Sequence, residues 1–203
     1  VDWGDGSPID TVTSALDVDR NHTYAGAGMY TVTISGLIEG WSLETHPTSR
    51  DNLVEVNNFG TMGWKDLSGA FKDADNMTAF TGGETCNVVE MDSAFEDIPI
   101  NPDLSSWDTS KVTTMARMFK SSPAANPDVS GWDVSNVEFF EEMFKQASVA
   151  TPDTSSWITT SAMNMAEMFL DATMANPNVS NWDVSNVGSF QHMFGNAVAA
   201  TPN

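Results

Sequence analysis

The segment NPDVSGWDVSNVEFFEEMF at residues 126–144 returns with few changes as NPNVSNWDVSNVGSFQHMF at residues 176–194. Aligning Trp107, Trp132, Trp157 and Trp182 shows that the underlying step is 25 residues. Met118, Met143, Met168 and Met193 keep that step, as do Phe119, Phe144, Phe169 and Phe194, and Pro102, Pro127, Pro152, Pro177 and Pro202. A fixed step of this size marks units that cannot bury their apolar faces alone and must stack on one another. The sequence therefore predicts a repeat solenoid.

Two shorter periodicities alternate inside each unit. LSSWDT (104–109), VSGWDV (129–134), TSSWIT (154–159) and VSNWDV (179–184) fit the strand of a leucine-rich repeat, with Trp at its second apolar place. Side chains alternate along a strand, so the Trp and the residue two later point inward together. Val112, Met115, Met118 and Phe119 then have the spacing of one face of a short helix or 3-10 turn. Ser110, Ser135, Thr160 and Ser185 stand where an N-cap belongs, and Ser135 with Glu138 has the spacing of a capping box. The Asn-Pro or Thr-Pro pair ends the helical side. The expected fold class is thus leucine-rich-repeat-like: short parallel strands plus short helical or 3-10 segments. WKDLSGAF (64–71) and VVEMDSAF (88–95) keep the apolar spacing without the strand, as capping units do.

Upstream, VDWGDGS and HTYAGAGMYTVTISG (22–36) read as Gly-rich turns followed by the alternation Tyr30, Val32, Ile34 of a half-buried strand. This part resembles the C-terminal portion of a PKD-type immunoglobulin-like module, which implies a partial β-sandwich. With LVEVNNFGTMGWKDLSGAF and units of the form LSxWDxSxVxxMxxMF after it, nearly the whole chain resembles the BspA-like leucine-rich-repeat surface proteins. The unit at 151–175 departs from their pattern, with Ile158 and Ala162 in place of the usual Asp and Val. The resemblance implies a secreted or surface-attached adhesin. Expected divisions are 1–40 for the partial sandwich, 41–100 for a junction with degenerate capping repeats, and 101–203 for the 25-residue units. Val1 opens inside a motif and TPN begins another unit, so the sequence reads as part of a longer protein.

Composition narrows the partners. The 28 acidic and 8 basic residues give a formal charge of -20. Such a field repels phosphate backbones and anionic lipid, which disfavours nucleic acid and direct membrane insertion and favours cations or basic surfaces. Cys86 stands alone, cannot form an intrachain disulfide and is expected to be a small buried residue. The motifs of nucleophile elbows, zinc proteases and phosphate loops are missing, and His22, His46 and His192 fall in different modules, so no enzyme activity is expected. In DWGDG, Asp2, Asp5 and Gly6 suit a turn whose backbone is held by carboxylates, and they lack the spacing of an EF-hand.

The positions turned outward by the strand pattern are Ser106 and Asp108, Gly131 and Asp133, Ser156 and Ile158, Asn181 and Asp183. Strands stacked about 4.8 Å apart would bring Asp108 and Asp133 close, where two charges in water repel by only roughly 0.8 kcal/mol. Two readings follow. These aspartates are either solvated carboxylates hydrogen-bonded to a neighbouring amide or an acidic stripe of Asp108, Asp133 and Asp183, flanked by Ser106 and Asn181, that recruits a cation or a basic partner. In the second reading Asp108 and Asp133 are the pair placed to share a Ca2+ ion. The expected function is an extracellular, cell-surface or virion-surface module that binds a protein or glycan. The alternative is a structural subunit of a surface layer, filament or virion appendage, with neighbouring copies as partners.

Overall fold

The computed structural model describes residues 1–14 and 16–201; Pro202, the last proline of the 25-residue row, lies outside them. The chain divides into two compact units, Val1–Leu37 and Ile38–Asn203.

In the first unit a turn at DWGDG sets the chain path. The Asp2 carboxylate accepts from the Gly4 amide at 2.9 Å and the Asp5 carboxylate from the Ser7 amide at 3.0 Å. Gly4 has φ +76°, and a Cβ there would come within 2.4 Å of the Thr31 carbonyl oxygen, so no other residue fits. Trp3 stacks on His22 at 5.0 Å, His22 meets the edge of Tyr24, and Tyr24 stacks on Tyr30 at 4.2 Å. The Trp3 indole donates to Asp10 Oδ2 at 2.6 Å and the Tyr24 hydroxyl to the Trp3 carbonyl at 3.1 Å. This aromatic row is the nearest thing the unit has to a core.

The second unit is a stack of turn-rich layers. Parallel bridges join Gly40, Asp66, Glu90, Thr114, Phe139, Asn164 and Ser189 in one column. One layer shows why the backbone follows this path. Hydrogen-bonded turns close at Leu104–Trp107, Thr109–Val112, Met115–Met118, Arg117–Lys120, Phe119–Ser122 and Ser122–Ala125. Between them the amides of Met115, Arg117, Phe119 and Ser121 leave the layer and donate to the carbonyls of Phe139, Glu141, Met143 and Lys145 at 2.8–2.9 Å. Arg117 and Ser121 make this possible by adopting φ +56° and +57°. The same pair of left-handed residues recurs as Ser93 and Asp97, Glu142 and Gln146, Glu167 and Asp171, and His192 and Asn196. The corner prolines have no amide to offer, and a side chain next to them makes the inter-layer contact. Asn101 Oδ1 accepts from the Asn126 amide, Asn126 Oδ1 from Thr151 and Asn176 Oδ1 from Thr201, each at 2.8 Å.

The core runs through the stack. Phe71, Phe95, Phe119, Phe144, Phe169 and Phe194 form one continuous column with centroid spacings of 5.3–6.0 Å. Met115, Met118, Met143, Met165 and Met168 are fully buried beside it. Trp107, Trp132 and Trp157 are buried; Trp182, in the last described layer, is half-buried and stacks on Trp157 at 6.0 Å.

The expected fold class is overturned: the chain is nearly devoid of regular secondary structure. Among the described residues its elements are a 3-10 turn at Val18–Arg20, a helix at Pro47–Asp51 (α1), and two strands of two residues, Glu55–Val56 (β1) and Ala79–Phe80 (β2). No strand is centred on Trp107, Trp132, Trp157 or Trp182; each of these closes a β-turn instead. No helix follows Ser110, Ser135, Thr160 or Ser185. The Phe119 amide, which would bond four residues back in a helix, goes to the next layer, and Arg117 in the left-handed region breaks any helical run. The capping box fails for the same reason, with the Glu138 amide bonded to the Thr113 carbonyl. The partial sandwich expected at the start is reduced to a single antiparallel bridge, Asp2 to Thr33. Cys86 is exposed rather than buried, because it lies at the outer corner of the turn Thr85–Val88.

Burial sets the cost of emptying the core. Trp132 is 4% exposed with layers on both sides, so Trp132→Ala should cost about 3–5 kcal/mol. Trp182→Ala removes a half-buried ring and should lower the urea midpoint distinctly less; equal midpoint losses would contradict this packing.

Candidate functional site

The outward aspartates are fixed by their neighbours in sequence. In each Trp-Asp-x-Ser segment the carboxylate folds over the next turn. Asp108 Oδ1 accepts from the Ser110 amide at 3.0 Å, Asp133 Oδ1 from Ser135 at 2.9 Å and Asp183 Oδ1 from Ser185 at 2.9 Å. These are Asx turns, which Asp and Asn form because the side-chain oxygen reaches the amide two residues on. The layers beneath lock the same places from inside. The buried hydroxyls of Thr85, Thr109 and Thr159 donate to the main-chain carbonyls of Asp108, Asp133 and Asp183, each at 2.9 Å. Asp108, Asp133, Asp183, Ser106 and Asn181 are all exposed. Asn181 uses its side-chain amide on the Ser155 carbonyl of the previous layer at 3.4 Å. Ile158 takes the Asp place in the layer between Asp133 and Asp183, so that layer has no carboxylate there.

A second column went unread in the sequence. Asp103, Asp128 and Asp153 hold the amides of Ser105, Ser130 and Ser155 at 3.0–3.2 Å. Asn178 does the same for Ser180 at 3.1 Å in the next layer. The signal was available: these residues follow the corner prolines at the same 25-residue step. Asp128 and Asp153 are close enough for each charge to disfavour ionisation of the other. Hydrogen bonds win nevertheless. Those from Ser105, Ser110, Ser130 and Ser155 hold Asp103, Asp108, Asp128 and Asp153 below the ordinary carboxylate range, and the Ser185 amide does so for Asp183.

The basic side chains of the second unit are committed elsewhere. Lys72 bridges Glu44 and Glu96 at 3.2 Å each, and Lys120 bridges Glu96 at 3.8 Å and Glu142 at 2.7 Å. Lys145 bridges Glu142 at 3.2 Å and Glu167 at 2.6 Å. The result is one alternating ladder from Glu44 to Glu167. Burial opposes ionisation of Glu142, but Lys120 and Lys145 outweigh it and hold its carboxyl below the usual range. Arg117 pairs with Asp92 at 2.6 Å, Arg50 with Asp73 at 3.0 Å, Lys65 with Glu39, and Lys111 donates to Asn87 at 2.8 Å. Among the described residues no ion pair reaches either aspartate column.

Other expected candidates are placed as follows. His22 Nε2 lies 2.8 Å from Asp5 Oδ2, and hydrogen bonds from Ser7 and His22 bring the Asp5 pKa down to about 2. Among the described residues no three His, Cys, Asp or Glu side chains converge as metal ligands. Among the described residues no helix is long and apolar enough to cross a membrane.

Residues 65–169 and 151–203 match the family described as Mycoplasma protein of unknown function, DUF285. Together they span more than half of the chain, which therefore belongs to that family. No curated protein and no solved structure matches the chain.

The carboxylates divide by the direction of their shifts. Burial, with Asp66 and Asp92 nearby, pushes the Glu90 carboxyl up. Its contribution is fully present below the unfolded value near 4.3 and is lost as pH rises through the raised folded value. Asp103, Asp108, Asp128, Asp153 and Asp183 behave oppositely, stabilising above about 3.9 and losing that contribution as pH falls through their depressed values. Stability measured by urea midpoint should therefore rise modestly as pH falls from neutral through the raised Glu90 value and decline below about 3.9. Asp128→Asn, which keeps the turn acceptor, should flatten the acid limb; an unchanged limb would show that these turns do not govern it.

Proposed function

We propose that the chain is a binding module, carried on an extracellular or surface-exposed protein, whose two aspartate columns dock a basic protein partner. The observation that carries this reading is the separation of charge. Apart from Lys111, whose charge favours ionisation of Asp108, every Lys and Arg of the second unit is engaged away from Asp103, Asp128, Asp153, Asp108, Asp133 and Asp183. Each of these carboxylates uses one oxygen in its Asx turn, and among the described residues none of them is in an ion pair. A fixed, uncompensated row of anions attracts a complementary row of cations and raises the rate of encounter. The likeness to BspA-like surface proteins supports the same direction and the surface placement.

Asn in place of these aspartates tests the reading cleanly, because Asn178 already fills one such turn. Oligolysine should bind the unsubstituted chain at low salt and release it as salt rises. Replacing all six aspartates by Asn should weaken binding by about tenfold or more at mid-range, since exposed ion pairs contribute roughly 0.2–1 kcal/mol each and tenfold is about 1.4 kcal/mol. Calorimetry giving the same affinity for the folded Asn variant would sink the proposal.

A further inference from the structure

The aspartate columns are interrupted by one depression, and its walls differ in character from the rest of the row. It has a volume of about 330 Å3 and is lined by Gly131, Trp132, Asp133, Ser135, Ser156 and Ile158 among others. Its origin is local. Gly131 stands where the neighbouring layers carry Ser106, Ser156 and Asn181, and a Cβ built on it would meet nothing within 4 Å. One layer on, Ile158 replaces the aspartate and leaves 58% of its surface exposed. The depression thus has an anion on one side and an aliphatic wall on the other.

We propose that this depression takes the side chain of one lysine of the basic partner, an inference that rests on the docking role of the columns. A lysine side chain is an aliphatic stem with a compact cation at its tip, and such stems lie along apolar surface while the head stays polar. Here the stem crosses Gly131 and lies against Ile158, and the ammonium reaches Asp133. Ser156 is fixed beside it, donating to the Ser130 carbonyl at 2.7 Å. Lysine fits better than arginine. Asp133 Oδ1 is occupied by the Ser135 amide at 2.9 Å, so only Oδ2 is open, whereas a guanidinium gains its advantage by engaging both oxygens of a carboxylate.

The experiment compares oligolysine with oligo-diaminobutyrate, which carries the same charge on a stem two methylenes shorter, by calorimetry on the full chain at a pH where both are fully protonated. The two extra methylenes, buried against Ile158, favour lysine, so a preference of roughly tenfold is expected. Gly131→Asn should abolish the preference while leaving salt-sensitive binding in place, because Asn181 occupies the same position in its own layer. Ile158→Asp should also abolish it, despite adding a carboxylate to the row. Equal binding of the two peptides to the unsubstituted chain overturns the lysine pocket and leaves the charged columns standing. A preference that survives Gly131→Asn overturns the pocket as its source. If neither peptide binds at low salt, the pocket and the docking role fail together.

Discussion

The second unit depends on main-chain amides that leave their own layer. In each layer alternate residues, such as Met115, Arg117, Phe119 and Ser121, donate forward to the carbonyls of the next. A right-handed helix would turn these amides back on their own segment. The left-handed residues prevent that, and each costs about 1–2 kcal/mol when it is not Gly. The first of these layers places Gly69 at φ +61°, in the position later occupied by Ser93, Arg117, Glu142, Glu167 and His192. What holds those residues in a disfavoured region is the core beside them. A buried Phe contributes roughly 1.5–3 kcal/mol, and every strained pair flanks one member of the phenylalanine column. Strain, forward hydrogen bonds and aromatic stacking therefore form a single arrangement, and no one of them persists in a layer without its neighbours.

Charge is distributed by the same geometry. The position immediately after each core Phe is half-buried and carries Lys72, Glu96, Lys120 and Lys145, while Glu142 and Glu167 come from the left-handed position before it. Alternating signs at these two places generate the ladder from Glu44 to Glu167, and partial burial makes each pair matter more than an exposed one. Beyond Lys145 the sequence places Leu170 and Gly195 where the cations were, and the ladder ends. Three of the eight cations lie in the ladder, and among the described residues no ion pair reaches the Asx columns. The net charge of -20 is thus a property of particular faces as well as of the composition.

The sequence made the step legible because the step is a packing constraint: the same inward places recur as Trp, Met and Phe, and the stacked columns follow from them. It did not make the local backbone legible. WDVS has the alternation of a strand, and VxxMxxMF has the spacing of a helix face, yet both patterns also arise when successive β-turns put side chains alternately in and out. Deciding between them required knowing that Arg117, Glu142 and Glu167 adopt positive φ, and nothing about Arg or Glu announces that conformation. At the candidate site alternation alone points to the outward aspartates Asp108, Asp133 and Asp183, whereas Asp103, Asp128 and Asp153 sit next to a proline corner, where no alternation marks them. The depression at Gly131 was invisible for a different reason: it is made by an absent side chain in one layer and an exposed Ile158 in the next, and neither residue signals a site by itself.

An Asx turn is an economical way to present a carboxylate. The oxygen that closes the turn removes the rotamer freedom of the side chain at folding, so a partner that later engages the other oxygen has less disorder to overcome. Because Asn closes the same turn, charge can be removed from a layer without rebuilding it, as Asn178 shows beside Asp153. A hydrophobic residue cannot close the turn, and the one layer that carries Ile158 gives up both the hydrogen bond and the anion. That layer keeps the buried Thr159 hydroxyl on the Asp183 carbonyl and Trp157 in the core, with its indole donating to the Val129 carbonyl at 3.2 Å. Its interior is preserved while its surface changes character. Layers built this way separate the residues that hold the stack from the residues that face solvent, and that separation lets one surface position differ in a fold whose interior repeats.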